Sequence, residues 1–367
     1  MKKTSLFWAV LLIVSGLFIL AGCGGNKPAA TNESAKEKEN VDISKLVTND
    51  AYTDIEKNIL KALEPLPNKG DGNVKVGVVL PTLSNPYYVT SKAGYENAAK
   101  SLGIQVEVVS GAKEDDVEGQ LNVFKTLLSK DFDAIVIVPI TGMNLISGVV
   151  EANKKGIPII SSGTKLNEAA AAEAGAKITA HMSTNFIEQG HLAGAYISEK
   201  IKASGAKTAK VAVIEGLAGA YQGEARRDGA VAAFKEAGMD VVSIQTGDWD
   251  RQNAYNIANN LLQSNPDLRG IFCANDTMAL GVVEALKVAG KKNQVIVTGI
   301  DFLDEARQSL KAGELNASVA MAPYIRGKGT LTLVLKVLQN HDISQQNYWS
   351  PLALITQENV NEYDDWK

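Results

Sequence analysis

Four polar and aromatic stretches carry the residues whose chemistry is best suited to holding a small molecule. They are residues 82–88 (Thr-Leu-Ser-Asn-Pro-Tyr-Tyr), residues 248–250 (Asp-Trp-Asp), the pair Asn275-Asp276 and Asp301. Amides offer hydrogen-bond donors and an acceptor together, carboxylates accept strongly, and aromatic rings offer a flat apolar face. Each stretch follows a short apolar run, which indicates that all four lie at the ends of strands.

Patterns that would indicate catalysis, metal binding or nucleic-acid binding are not found. The three histidines, His181, His191 and His341, show no metal-ligand spacing, and no G-x-S-x-G, P-loop or EF-hand pattern occurs. Cys273 lies in an apolar run and is expected to be a buried small hydrophobe. The net charge of −4 gives no reason to expect a nucleic-acid partner. We therefore predict a binding protein without enzymatic activity, metal or cofactor.

Strand and helix signals alternate from Val74 onwards. β-branched runs predict two series of four strands, first at residues 74–80, 105–109, 134–138 and 157–161, and then at residues 210–214, 241–245, 270–273 and 295–299. Amphipathic helical stretches lie between them, and this alternation predicts parallel sheets covered by helices. The two series predict two similar lobes. Ligands of open α/β sheets bind at the carboxyl ends of strands, so the polar stretches are expected to face each other across a cleft.

The N-terminus has the pattern of a secretory signal. Lys2 and Lys3 precede an apolar run over residues 6–21, and residues 20–23 read Leu-Ala-Gly-Cys. The run is short for a spanning helix, which needs about 20 apolar residues, so an uncleaved anchor is the weaker alternative. The last four residues resemble a bacterial lipobox. This resemblance implies that residues 1–22 are a signal peptide and that Cys23 carries lipid such as palmitate, which would anchor the chain to the cell membrane.

Two further segments precede the first strand. Residues 23–40 are small, polar and charged, and they predict a flexible spacer. Residues 41–73 form a predicted N-terminal helical extension, in which Thr53 and Glu56 have the spacing of a capping box. The helix is expected over residues 54–64 and to pack on the main body.

The pattern from Val74 to Val360 resembles the ribose-type periplasmic binding proteins, the monosaccharide receptors of ABC transporters. The resemblance is carried, in order, by residues 82–88, by Gly-Ile-Pro-Ile-Ile at 156–160, by Ala-Asn-Asp-Thr-Met-Ala-Leu-Gly at 274–281 and by Val-Thr-Gly-Ile-Asp at 297–301. It implies an α/β fold of two Rossmann-like parallel-sheet lobes, the type I fold of periplasmic binding proteins. Three crossings join the lobes and act as a hinge that closes on the solute.

The resemblance also implies how the lobes divide the chain. The first lobe is expected to take residues 74–182 and 322–349. The second lobe is expected to take residues 183–321 and 350–367.

Family positions give a set of expected ligand contacts. Asn85, Asn275 and Asp301 match contacts to hydroxyl groups, and Tyr87, Tyr88 and Trp249 match stacking aromatics. Each has a structural alternative, a helix cap for Asn85 and Asp301 and core packing for the aromatic residues. Trp249 lies between two aspartates and is not expected to be deeply buried. Asp276 is expected to cap a helix over residues 277–289 instead of contacting the ligand.

Three family contacts differ in this chain. Ribose receptors carry an Asp-Arg pair after the fourth strand, where residues 161–165 here read Ser-Ser-Gly-Thr-Lys, and Thr164 is an expected substitute. A family arginine aligns without gaps with Glu224, with Arg226 close by, and a family glutamine is replaced by Met321. Because unpaired hydroxyls in a closed cleft are costly, these changes predict a solute that need not be ribose.

Taken with the lipobox, the resemblance implies an extracytoplasmic solute-binding lipoprotein of an ABC transporter. It would bind a monosaccharide or related polyhydroxylated molecule, and its partners would be permease subunits and, through its lipid, the membrane. A monomer is expected. The alternative is a sugar sensor that presents its closed form to a chemoreceptor or sensor kinase. A sugar-responsive repressor, which shares the lobes, is excluded by the lipobox and spacer.

Overall fold

Two six-stranded sheets with helices packed against them form the body of the protein, in a computed structural model that describes residues 52–343, 347–364 and 366. The predicted signal peptide, Cys23 and the spacer lie outside the described residues. The strands are β1 (Lys75–Leu80), β2 (Gln105–Ser110), β3 (Ala134–Ile137), β4 (Ile159–Gly163), β5 (Ala180–Ser183), β6 (Lys210–Glu215), β7 (Asp240–Thr246), β8 (Gly270–Cys273), β9 (Ile296–Asp301), β10 (Ala317–Met321), β11 (Asn347–Trp349) and β12 (Leu352–Thr356).

Eleven α-helices and a short 3-10 helix (Val360–Tyr363) are described. The α-helices are α1 (Tyr52–Ala62), α2 (Pro86–Leu102), α3 (Val117–Leu128), α4 (Ile146–Lys154), α5 (Glu168–Ala174), α6 (Phe186–Ala203), α7 (Tyr221–Glu236), α8 (Arg251–Ser264), α9 (Asp276–Val288), α10 (Asp304–Lys311) and α11 (Pro323–Leu338). The eight predicted strands are present with small shifts at their ends.

Each sheet defines one lobe. The first has the strand order β11-β5-β4-β3-β1-β2 and the second the order β12-β10-β9-β8-β6-β7. Every neighbouring pair is parallel except β10 and β12. Strands β3, β4 and β8 are buried along their whole length, as expected for parallel strands that are covered on both faces. The predicted fold of two parallel-sheet lobes is confirmed.

The chain passes between the lobes three times. It leaves β5 of the first sheet for α6, which packs on β8, β9 and β10 of the second sheet. It returns between β10 and α11, since α11 packs on α2 and β5 of the first lobe. The last passage joins β11 to β12. Segments that link the lobes in this way are where a hinge can act.

Close helix packing fixes the helices that bear the cleft residues. A side-chain carbon at Gly94 of α2 would lie 2.3 Å from the carbonyl oxygen of Tyr324 in α11. One at Gly190 of α6 would lie 1.8 Å from the carbonyl oxygen of Arg226 in α7. Because only glycine permits these approaches, α2 is held against α11 and α7 against α6.

The N-terminal extension packs on the first lobe, with its helix starting slightly earlier than predicted. Ile55, Ile59 and Leu63 are buried, and a side-chain carbon at Gly329 of α11 would lie 2.5 Å from Ile59 Cγ2. Lys336 of α11 donates to the carbonyl oxygen of Leu63 at 2.8 Å. The extension therefore belongs to the outer surface of α11.

Candidate functional site

A cleft lies between the lobes, with an empty volume of about 440 Å³ that includes space open to solvent. Residues at or just after the carboxyl ends of strands of both sheets line it, as the strand topology predicts. Nine of the ten predicted contact residues line this cleft, namely Asn85, Tyr87, Tyr88, Thr164, Arg226, Trp249, Asn275, Asp301 and Met321. Their location is thus observed, and ligand contact remains a prediction for each.

The tenth residue, Glu224, does not face the cleft, and this prediction is wrong. Glu224 is exposed on α7, whereas Gln222 and Arg226 of the same helix are buried and line the cleft. With 3.6 residues per turn, residues four apart share a face, and the residue midway between them points away. The gap-free alignment therefore selected a position on the wrong face of the helix.

Asn85 has two roles on the wall of the first lobe. Its side-chain oxygen accepts from the backbone N–H of Tyr87 at 2.9 Å, which caps α2. Its Nδ2 donates to Glu114 Oε1 at 2.6 Å. Burial raises the pKa of Glu114, and the hydrogen bond from Asn85 opposes that change. Asn85 therefore both caps α2 and lines the cleft.

Aromatic rings form two faces of the cleft. Tyr87 and Tyr88 are buried and pack edge to face with ring centroids 5.1 Å apart. On the other lobe, Trp249 is only 7% exposed, so the expectation of a less buried ring is wrong. Its ring packs over Gly216, where a side-chain carbon would lie 2.0 Å from Trp249 Cη2. The aromatic faces available to a solute are thus rigidly supported.

Arg226 and Asp301 form a buried ion pair in the second lobe. Arg226 Nη2 lies 3.6 Å from Asp301 Oδ1, Nε donates to Gln189 Oε1 at 2.8 Å and Nη1 donates to the carbonyl oxygen of Ala274 at 2.8 Å. Burial raises the pKa of Asp301 to about 7, and the neighbouring Arg226 offsets only part of this change. Asp301 is consequently a carboxyl group that titrates near neutral pH.

The helix cap predicted for Asp276 is provided by Asn275 instead, and ligand contact by Asn275 remains a prediction. Asn275 itself caps α9, because its side-chain oxygen accepts from the backbone N–H of Met278 at 2.9 Å. Asp276 instead holds the loop after β9 through Ser318, whose hydroxyl donates to Asp276 at 2.8 Å, and through the backbone N–H of Leu303 at 2.9 Å. Asp276 thus supports the backbone that presents Asp301.

Two contacts join the lobes at the cleft. Thr164 Oγ1 of the first lobe donates to Gln222 Oε1 of the second at 3.3 Å. Met321 ends β10, at the second passage between the lobes, and its sulfur accepts from Gln189 Nε2 at 3.0 Å and from Tyr87 Oη at 3.6 Å. These contacts show a closed arrangement in which both lobes share one polar interior.

Several cleft residues carry no signal that the sequence analysis recognised. Glu114 follows β2, Phe186 and Gln222 begin helices of the second lobe, and Arg326 lies in the first turn of α11. Glu114 could have been found by the same rule that selected the other strand ends. The sequence pattern gave no reason to choose Arg326, because it lies inside a helix and not in one of the polar stretches that follow strands.

Within the described residues, no group of histidine, cysteine or acidic side chains could hold a metal ion. Among the helices of that same part of the chain, none is long and apolar enough to cross a membrane.

Comparison with known proteins agrees with this architecture. Residues 76–342 match the family described as the periplasmic binding protein domain. The chain belongs to the periplasmic binding protein family. This membership confirms the predicted class of extracytoplasmic, non-enzymatic binding proteins.

Relatives within this family include two proteins of similar length. The D-allose-binding periplasmic protein of Escherichia coli (strain K12) is 40% identical over 70% of this chain and 82% of that protein. The ribose import binding protein of Bacillus subtilis (strain 168) is 32% identical over 78% of this chain and 89% of that protein.

Solved structures of ABC transporter solute-binding proteins are similar across the whole body. One from Actinobacillus succinogenes 130z with bound D-allose has a TM-score of 0.74 and 29% identity, covering 79% of this chain and 100% of that one. Another, from Bacillus halodurans C-125 with bound myo-inositol, has a TM-score of 0.70 and 26% identity, covering 81% and 99%.

Proposed function

We propose that this periplasmic binding protein is the solute receptor of an ABC importer and that it binds a monosaccharide or related polyhydroxylated molecule in the cleft. The observation that carries the proposal is the lining of the cleft. Aromatic faces from both lobes enclose a space that also contains amide, carboxyl and guanidinium groups. Rings suit the C–H faces of a sugar, and the polar groups suit its hydroxyls.

The residues proposed to contact the solute divide into two roles. Tyr87, Tyr88 and Trp249 supply contact area, and the polar side chains set orientation. The polar set comprises Asn85, Thr164, Arg226, Asn275 and Asp301, to which the structure adds Glu114 and Gln222 as cleft-lining groups. Met321 forms part of the floor where the lobes meet.

Hinge closure is the proposed mechanism of capture. A solute that contacts both lobes binds the closed form more tightly than the open form and so shifts the population towards closure. The three passages between the lobes and the contact between Thr164 and Gln222 support this proposal. The closed form would then be the one that permease subunits recognise. The names of the relatives, which include an import binding protein, favour transport over the sensor alternative.

Calorimetric titration of the complete chain tests the proposed function. Pentoses, hexoses, polyols and nucleosides are titrated separately into the protein. We expect at least one sugar or polyol to bind with one-to-one stoichiometry and a dissociation constant of about 1 μM or lower, which corresponds to about −8 kcal/mol. The absence of binding by all four classes would contradict the proposal.

A lipid anchor at Cys23 is a separate part of the proposal, supported by the sequence pattern alone. Cells that express the protein are labelled with a palmitate analogue and fractionated. We expect the label and membrane association in the unaltered protein and the loss of both in a Cys23→Ser variant. Label retained by the variant would contradict lipidation at this residue. The Cys23→Ser variant, which needs no detergent, is expected to sediment as a monomer.

A further inference from the structure

Arg326 is a buried cation in the cleft wall that shares its neighbouring carboxyl group, Asp301, with Arg226, and the ion pair of Asp301 is with Arg226. Arg326 is 3% exposed, lines the cleft and forms no ion pair with a described residue. Its Nη1 donates to Thr184 Oγ1 at 3.3 Å, and the guanidinium lies 5.6 Å from the ring centre of Tyr87. Its Nε is buried without an acceptor among the described residues. A guanidinium carries five N–H donors, and Tyr87 is a further hydrogen-bond neighbour, so Nε is the donor left without a partner among the described residues.

Arg226, the other arginine of the cleft, has both hydrogen-bond acceptors and a counter-charge. Arg226 donates to Gln189 and to the carbonyl oxygen of Ala274, and Asp301 supplies its counter-charge. Burying a charge without a partner is strongly unfavourable, whereas a paired and hydrogen-bonded charge is tolerated. Arg326 forms no such ion pair with a described residue, so an anionic solute would give it the counter-charge that Asp301 gives to Arg226.

The guanidinium of Arg326 lies against the end of β4, at van der Waals distance from the Cα side of Gly163. A side-chain carbon at Gly163, the last residue of β4, would lie 3.5 Å from Nη1 and 3.6 Å from Nη2 of Arg326. In ribose-type receptors, the resemblance implies an Asp-Arg pair in the stretch after this strand, which residues 161–165 here lack. Arg326 of α11 instead brings a guanidinium to the end of β4 from another element.

Two acidic groups, Glu114 and Asp301, also line the cleft. Burial raises the pKa of both, Arg226 acts on both in the opposite direction, and Arg326 does so on Asp301. Arginine keeps its charge at any pH that proteins experience. Glu114 contacts Asn85, while Arg326 contacts Thr184 and Tyr87, so the acidic and basic groups contact different residues of the wall.

We propose that the solute carries a carboxylate and that the guanidinium of Arg326 binds it. The substrate class is then the acidic monosaccharides, such as hexuronates, instead of neutral sugars. A guanidinium matches a carboxylate in shape and can bind it through two parallel hydrogen bonds. This inference rests on the proposed function, because it names the solute class of the same cleft.

The test compares each acidic sugar with its neutral parent. D-Galacturonate with D-galactose, and D-glucuronate with D-glucose, are titrated into the complete chain at pH 7.5, with D-allose as a further neutral sugar. We expect at least one hexuronate to bind about tenfold or more tightly than its parent, since charge-assisted hydrogen bonds are about twice as strong as neutral ones. Neutral sugars that bind as tightly as the acids, or more tightly, would overturn the inference and leave the proposed function standing. No binding by any sugar, neutral or acidic, would overturn both.

Variants then assign the preference to the residue. We expect Arg326→Met to lose about tenfold in affinity for the acid and to change affinity for the neutral parent by less than about threefold. The matched control is Arg227→Met, because Arg227 also lies near the cleft but is paired with Glu215 and does not line it. An unchanged ratio of acid to neutral affinity in a folded Arg326→Met protein would contradict the assignment. Thermal unfolding shows whether each variant folds. If Arg326→Met does not fold, Arg326→Lys replaces it, because lysine keeps the charge but lacks the planar guanidinium. We expect Arg326→Lys to prefer the acid over the neutral sugar less strongly than the wild type does.

Discussion

Trp249 and Asp301 both have a positive φ, a backbone conformation that residues other than glycine rarely adopt. Asp248 and Trp249 have φ of 53° and 62°, and Asp301 and Phe302 have φ of 115° and 56°. These are four of the five non-glycine residues with positive φ in the described part of the chain. Such conformations cost about 1–3 kcal/mol each and persist where the surroundings enforce them. Their concentration at the cleft indicates that stability is sacrificed there to orient particular side chains.

Removing the ring of Trp249 is expected to weaken solute binding while the protein still folds. We expect Trp249→Ala to reduce affinity for the best sugar by about tenfold or more, because the stacking face is lost. The variant also loses about 3–5 kcal/mol of stability, as is usual when a buried ring is truncated. Calorimetry and urea unfolding measure the two effects. Trp249→Phe, which keeps an aromatic face, should retain more affinity, and wild-type affinity in Trp249→Ala would contradict the assignment.

Asp301 is expected to make the solute-free protein less stable as pH rises. Its pKa is about 7 in the folded protein and near 3.8 when unfolded, so between these values the folded state holds more protons. The free energy of unfolding therefore falls as pH rises, and Asp301 contributes a loss of about 2 kcal/mol between pH 5 and pH 8. Urea unfolding at both pH values measures it. Asp301→Asn should show a smaller fall, whereas Asp131→Asn, at an exposed position before β3, should behave as wild type.

Equal pH dependence of Asp301→Asn and the wild type would contradict the raised pKa of Asp301. Some dependence remains in the variant, because burial also raises the pKa values of Glu114 and Asp276.

The residues that the sequence identified and those that it missed differ in one physical respect. Asp301 is the last residue of β9, and the loops that follow β1, β7 and β8 contain Asn85, Trp249 and Asn275, so strand topology places all four at the cleft. Arg326 reaches the cleft only because α11 packs against α2 after the chain has returned to the first lobe. Nothing local to its sequence encodes that packing.

At the level of elements, the orientation of a helix decides which of its residues reach the site. Gln222 and Arg226 occupy one face of α7 because Gly190 lets α6 approach the backbone of α7 closely. The face is set by this tertiary contact, and the apolar periodicity of α7 is too weak to predict it from sequence. In contrast, the sequence does predict the buried face of α1, because the spacing of Ile55, Ile59 and Leu63 places them on one side of the helix.

The packing of α1 on α11 is expected to stabilise the fold without affecting solute binding. Ile59→Ala should reduce the free energy of unfolding by about 2–4 kcal/mol, because Ile59 is buried against Gly329. Affinity for the solute should stay within about twofold, since α1 does not line the cleft. Urea unfolding and calorimetry test both points. Lys57→Ala, at an exposed position of the same helix, is the control, and equal stability of the two variants would show that α1 contributes little.

At the level of the whole molecule, two similar sheets enclose one site that neither lobe completes alone. The first lobe provides Asn85, Tyr88 and Arg326, and the second provides Trp249 and Asp301. Sequence was sufficient for this architecture because parallel strands and their connecting helices leave few alternatives. The chemical identity of the solute was not accessible in the same way. It depends on groups such as Arg326 and Gly163 that meet only after folding.

A crystal structure of the complete chain, grown with the sugar that binds most tightly in solution, would show whether the cleft between the lobes is the solute site. Electron density is expected for one sugar ring between the lobes, in contact with the ring of Trp249 and within hydrogen-bond distance of Asn275 and Asp301. A cleft without sugar, or a sugar bound elsewhere on the protein, would contradict this site.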